Sequence, residues 1–188
     1  MEYTIVDGKL SDCRRLASPN CSSREGTEVD LLVIHNISLP AGEFGTGRIE
    51  QLFTNCLPPA AHPSFVEISK LRVSSHLLID REGEITQFVP FTMQAWHAGP
   101  SSFLGRERCN EFSIGIEVEG TDFEAFADVQ YERLADVTRA LFRVYPALNP
   151  ARIAGHSDIS PGRKTDPGPC FDWEHYKSAL HKPAEAGQ

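Results

Sequence analysis

The segment Val29-Asp30-Leu31-Leu32-Val33-Ile34-His35 is an almost unbroken apolar run that ends in a histidine. A run this short and this apolar predicts a buried strand rather than one with a solvated face. Ser113 to Glu119 alternates instead: Ile114, Ile116 and Val118 face one way, and Gly115, Glu117 and Glu119 the other. Ser74 to Ile79 and Ile85 to Val89 carry strand formers on either side of Asp80-Arg81-Glu82-Gly83-Glu84. This predicts a hairpin in which Gly83 supplies the positive φ of the turn. Asp128 is placed to cap a helix that runs to Tyr145, before Pro146, with Leu134, Val137, Leu141 and Val144 as its core stripe. Ala151 to Gly155 predicts another short strand leading into His156. A Pro/Gly-rich loop from Ser160 to Pro169 follows, and a last helix starts at Asp172.

The stretch from Leu39 to Pro63, rich in Pro and Gly, predicts a long surface excursion with a short helix near Arg48 to Phe53. There is no internal repeat and no linker. The 188 residues therefore read as one domain, with a core of about residues 15–180 and a loose tail from Pro183 to Gln188. The expected fold class is α/β (α+β): a central mixed sheet flanked by helices, with the functional cleft at strand ends.

The N-terminus lacks a basic segment followed by an apolar one, and no stretch approaches the ~18 apolar residues of a membrane helix, so the expectation is a cytoplasmic protein. Five irregularly spaced cysteines without a C-x-x-C pair are expected to be free thiols. A net charge of −8 opposes binding to nucleic acid or to an anionic wall or membrane, and favours a small soluble substrate. Nothing marks an obligate protein partner.

Two histidines, His35 and His156, stand directly after apolar strands, where a side chain can leave the core while its backbone stays fixed. Asp166 lies ten residues after His156, between Lys164-Thr165 and Pro167. Two imidazoles and a carboxylate would make a three-ligand zinc site with one position left for water. The same residues also read as a cap histidine, a turn histidine and a turn aspartate, and spacing alone does not choose. Glu117, in the middle of an apolar strand, is costly to bury unless paired or protonated, which makes it a candidate general base. The alternative is that its face is solvated, as Glu119 suggests. Lys164 could place an ammonium over a developing oxyanion, or be only a solvated loop charge.

Longer motifs carry a resemblance. His35-Asn36-Ile37-Ser38-Leu39-Pro40-Ala41-Gly42-Glu43-Phe44-Gly45, Ala61-His62-Pro63, Leu71-Arg72-Val73-Ser74-Ser75-His76 and Ala95-Trp96-His97-Ala98-Gly99 come first. Gly105-Arg106-Glu107-Arg108-Cys109-Asn110, Ser113-Ile114-Gly115-Ile116-Glu117, Gly155-His156, Asp158-Ile159 and Arg163-Lys164-Thr165-Asp166-Pro167-Gly168-Pro169 follow. In that order, over roughly residues 15–176, they resemble the AmpD-type N-acetylmuramyl-L-alanine amidases. The resemblance implies His35, His156 and Asp166 as zinc ligands, Glu117 as the base that activates water, and Lys164 as the stabiliser of the tetrahedral intermediate. It implies hydrolysis of the amide between the lactyl group of anhydro-muramic acid and L-alanine in recycled wall fragments, with an indirect effect on β-lactamase induction. Arg72 and Arg108 would contact stem-peptide carboxylates, for which a guanidinium fork is suited. Asn36, His76, Ala95 and Trp96 would lie near the cleft. His62 and His97 read as structural or loop histidines rather than a fourth ligand. The rivals are a non-catalytic recognition module, a secreted wall-lytic amidase, and a cysteine amidase using Cys109 or Cys170.

Overall fold

The computed structural model describes residues 2–182; the predicted tail at 183–188 lies outside the described residues. A six-stranded mixed sheet forms the centre, in the order β12-β5-β11-β6-β7-β3. Its strands are β3 (Arg14–Arg15), β5 (Leu31–Ile37), β6 (Leu77–Ile79), β7 (Ile85–Gln87), β11 (Ser113–Glu119) and β12 (Ile153–Gly155). Only the β6–β7 pair is antiparallel; the other four pairings are parallel. Three two-stranded ribbons surround the sheet: β1 (Ile5–Val6) with β2 (Lys9–Leu10), β4 (Cys21–Ser23) with β8 (Met93–Ala95), and β9 (Ser102–Phe103) with β10 (Arg106–Glu107).

One face of the sheet presents Leu32, Ile34, Leu77, Ile79, Ile114, Ile116 and Val118 to helices α3 (Asp128–Val144) and α5 (Trp173–His181). Burial of apolar area against both helices is the main force holding the layers together. The other face is covered in two parts. Leu31 and Val33 pack with Ala98, Cys109, Phe112, Ala154 and Ile159. Leu78, Phe88 and Val89 pack under Leu39, Ile49, Leu52, Phe53, Leu57 and Phe65. These come from α1 (Arg48–Phe53), the segments flanking it, and the start of α2 (Phe65–Ile68). The 39–63 segment is therefore a covering layer with its own apolar cluster, not merely a surface excursion. Its Pro and Gly residues mask the wider spacing of Leu39, Ile49, Leu52, Phe53 and Leu57.

The predicted hairpin is present, with Gly83 at φ 81°. Two details of the long helix differ from the sequence reading. Asp128 does not cap α3; the buried Gln130 side chain accepts the Ala127 N–H at 3.0 Å and also donates to the Glu119 carbonyl at 2.9 Å. Val144 is 44% exposed, because the core-facing stripe ends one turn earlier with Ala140 and Leu141. Strand β5 runs two residues past His35, paired with β11 as far as Ile37. At the last helix, Asp172 caps as expected, its Oδ1 accepting the His175 N–H at 2.8 Å.

Candidate active site

Strand register builds the site. In the parallel β5–β11 ladder Glu117 is the direct neighbour of His35, and in β5–β12 Gly155 is the neighbour of Ile34. The residue after Gly155 is His156, so it stands level with His35. All three side chains thus emerge at the carboxyl ends of parallel strands, where open α/β sheets form their clefts. Helix α4 (His156–Ile159) begins there, and the Asp158 carboxylate accepts the Gly155 N–H at 2.7 Å. The Ser157 N–H donates to the Asp166 carbonyl at 2.9 Å, which folds the Pro/Gly loop back and returns Asp166 to the two histidines.

Nδ1 of His35, Nδ1 of His156 and Oδ2 of Asp166 form a nearly equilateral triangle. His35 to His156 is 3.0 Å, His35 to Asp166 is 2.9 Å and His156 to Asp166 is 3.0 Å. Among the described residues they form the one group of titratable side chains placed to share a metal ion. The donor chemistry fits a cation such as zinc. The His156 Nε2 faces the Ala98 carbonyl at 3.0 Å, and a carbonyl only accepts; Arg163 Nη2 lies farther from Nε2, at 3.3 Å, and donates to that same carbonyl at 2.5 Å, so the proton sits on Nε2 and the Nδ1 lone pair turns inward. Burial holds His35 down to about 4, neutral at physiological pH, against the opposing pull of Asp166. Burial alone would raise the Asp166 carboxyl, but the close approach of the His156 and His35 rings holds it well below the usual carboxylate range.

Glu117 is 8% exposed and, among the described residues, its Oε2 has no hydrogen-bond partner. The solvated-face alternative is therefore overturned. Burial, then the nearby Asp166 charge, pushes its carboxyl well above the ordinary value, with Lys164 opposing. A carboxylate so placed is a stronger base than one in water. Lys164 is exposed and lines a cleft of about 600 Å³ together with Asp166, Asn36, Ser38, Gly42 and Phe123.

The other sequence-predicted contacts are distributed differently. Asn36 lines this cleft and ties two of its walls together, donating to Asp122 Oδ1 at 2.7 Å and the Pro167 carbonyl at 2.9 Å. Arg108 lines a neighbouring cleft with Ser160 and Arg163, and pairs with Glu111 at 2.6 Å. Arg72 is exposed, its guanidinium on the carbonyls of Ser69, Lys70 and Leu71. His76 is a core residue with no exposure: Nδ1 accepts the Gly115 N–H at 3.0 Å and Nε2 donates to the Met93 carbonyl at 3.1 Å. Burial, then the adjacent Arg24, holds it down to about 3. Ala95 is fully buried in β8, and Trp96 is half-buried with Nε1 donating to Ser22 Oγ at 3.0 Å.

Two residues escaped the sequence reading. His97, read as structural, contacts His35 directly, Nδ1 to Nε2 at 2.9 Å. Arg24 is buried and donates to the carbonyls of Phe91, Asn110, Glu111 and Ser113, which fixes the segment entering β11. No local signal distinguishes Arg24 from a surface arginine, since its neighbours Ser22, Ser23 and Glu25 are polar. The cysteines are all free, and burial pushes the Cys109 thiol up, away from the thiolate a nucleophile needs.

The N-acetylmuramoyl-L-alanine amidase family model matches residues 25–169, which hold His35, His97, Glu117, His156, Lys164 and Asp166. The chain belongs to that amidase family. Among relatives, the 1,6-anhydro-N-acetylmuramyl-L-alanine amidase AmpD of Escherichia coli (strain K12) is 56% identical over 179 residues, covering 95% of this chain and 97% of the relative. A crystal structure of a selenomethionine AmpD derivative superposes with a TM-score of 0.91 at 54% identity, covering 94% of this amidase and 98% of that chain. The E. coli amidase AmiD, solved with anhydro-N-acetylmuramic acid-L-Ala-D-γ-Glu-L-Lys, matches with a TM-score of 0.60 at 27% identity, over 94% of this chain and 65% of AmiD. Among the described residues of the amidase, no helix is long and apolar enough to cross a membrane.

Proposed function

We infer that this chain is a 1,6-anhydro-N-acetylmuramyl-L-alanine amidase of peptidoglycan recycling. It hydrolyses the amide between the lactyl group of the anhydro-sugar and L-alanine. The observation that carries this reading is the meeting of His35 Nδ1, His156 Nδ1 and Asp166 Oδ2 beside a buried Glu117 whose Oε2 has no hydrogen-bond partner among the described residues. It does so within a chain more than half identical, over nearly its full length, to an amidase named for that substrate.

His35, His156 and Asp166 would hold zinc, which when bound supplies Lewis-acid polarisation of the lactyl carbonyl and of the attacking water. The Glu117 carboxylate accepts the proton of that water as it attacks, and then delivers it to the alanine nitrogen as the C–N bond breaks. The rise in its affinity for protons through burial serves both steps. The Lys164 ammonium stabilises the oxyanion that forms at the carbonyl oxygen. No acyl-enzyme is needed, because water itself is the nucleophile. Asn36 holds the cleft walls against which the muropeptide sits, and Arg72, Arg108 and Trp96 would meet it at longer range. The net charge of −8 suits a small soluble muropeptide rather than nucleic acid or an anionic polymer. A cytoplasmic place of action follows from recycled fragments being the substrate.

The test is mass spectrometry of zinc-loaded protein with an anhydro-muramyl tripeptide, with and without chelator. Release of free peptide that the chelator abolishes is the expected result. Binding of intact substrate without cleavage would make the protein a recognition module instead.

A further inference from the structure

We propose that His97 is a positioning residue for the metal group: through a relay to Ser113 it dictates which nitrogen of His35 carries the proton. The proposal rests on the reading of His35 as a ligand. The relay has three links. Ser113 Oγ lies 2.6 Å from the Cys109 carbonyl, His97 Nε2 lies 3.0 Å from Ser113 Oγ, and His35 Nε2 lies 2.9 Å from His97 Nδ1.

Counting protons sets the direction of each link. A carbonyl can only accept, so the single hydroxyl proton of Ser113 goes to Cys109. Ser113 Oγ then has lone pairs but no proton for the ring, so His97 Nε2 must donate to it. A neutral imidazole that donates from Nε2 accepts at Nδ1, so His35 must donate from its own Nε2. The lone pair of His35 is thereby left on Nδ1, the atom that faces His156 and Asp166. His156 needs no relay, because its Nε2 reaches the Ala98 carbonyl directly. His35, without a carbonyl at its outer nitrogen, reaches one through two intervening side chains.

The surroundings hold the relay in place. Asn110 Oδ1 accepts the N–H groups of His97 at 3.1 Å and Ala98 at 2.8 Å, fixing the backbone that carries the ring. Arg24 holds the carbonyls of Asn110 and Ser113. Gly115 leaves the space the ring occupies: a Cβ there would lie 2.5 Å from His97 Cγ.

The test uses zinc affinity, measured by competition with a chromophoric chelator, in His97→Phe, His97→Gln and His35→Ala, with metal-free melting as the fold control. His97→Phe is expected to weaken zinc binding about 10- to 100-fold, the scale of losing an outer partner of a metal-bound histidine. His97→Gln is expected to restore most of that loss, since its amide can accept from His35 and donate to Ser113. Wild-type affinity in His97→Phe, with His35→Ala abolishing binding, overturns this proposal alone; undiminished binding in His35→Ala overturns the ligand reading beneath it. Should His97→Phe fail to fold, side-chain ¹⁵N spectra of the metal-free wild type decide. A proton on His97 Nε2 with Nδ1 unprotonated supports the relay, and a proton on His97 Nδ1 refutes it.

Discussion

Gly115→Ala turns the packing of the site into a measurable quantity. The added Cβ would lie 2.5 Å from both Cγ and Nδ1 of His97 and 2.7 Å from Cδ2. Non-bonded carbons rest at about 3.5–4.0 Å, so the ring must retreat by about 1 Å. His97 is held by bonds of 2.9 Å to His35 and 3.0 Å to Ser113. Stretching either by that amount passes the ~3.2 Å limit of a working hydrogen bond. Overpacking of this kind costs about 1–3 kcal/mol, or a fall in Tm of roughly 2–12 °C for a domain of this size. Zinc affinity should fall about 10- to 100-fold, equivalent to about 1.4–2.7 kcal/mol. The assay is calorimetry of the metal-free protein together with chelator competition. Gly83→Ala is the control, because its Cβ would meet Val129 Cγ2 at 2.7 Å on the side chain of α3, with φ at +81°. It should lower Tm and leave zinc affinity alone. If Gly115→Ala lowers Tm but binds zinc as the wild type does, the argument that ring displacement reaches His35 is refuted.

Glu117→Gln should reduce kcat by about 10²- to 10⁴-fold while zinc affinity is retained. It should also stabilise the metal-free protein. The folded-state value of Glu117 is raised, so its favourable contribution is present below the unfolded value near 4.3 and is lost as pH rises through the folded value. Glutamine removes that loss, so the Tm difference should grow from about pH 4 toward neutrality; a constant difference would count against the burial argument. Lys164→Ala should lower kcat on the order of 10²- to 10³-fold, with unchanged zinc binding and little change in Tm, since Lys164 is exposed. A loss expressed only in KM would reassign it to substrate binding. Arg24→Met should cost about 1–3 kcal/mol for each carbonyl left without a donor, and weaken zinc binding through the loosened Asn110–Ser113 segment. Unaltered urea unfolding would show that those carbonyls find other donors.

Local pattern carried much of the architecture. The apolar run before His35, the alternation from Ser113 to Glu119, the Gly83 turn and the Asp172 cap all depend on residues a few positions apart, so the sequence displays them directly. The family was legible too, because its motifs are long and occur in order. Other features were hidden. The Asp128 cap is the choice that propensity favours, but a buried Gln130 reached the same N–H from within the helix. Val144 keeps the helical period but is exposed in the last turn of the helix, beyond the buried Ala140 and Leu141.

By itself, then, the sequence determined which segments become strands and helices, and which side chains have the chemistry to bind a metal or move a proton. Only the tertiary structure decided which of them meet. His35, His97, Ser113, His156 and Asp166 span 131 residues between the first and the last, yet they form one hydrogen-bonded cluster. Their meeting is set by the register of three parallel strands, a glycine that admits a ring, and a loop folded back by a backbone hydrogen bond. Those are relations between distant segments, and no local run of residues contains them.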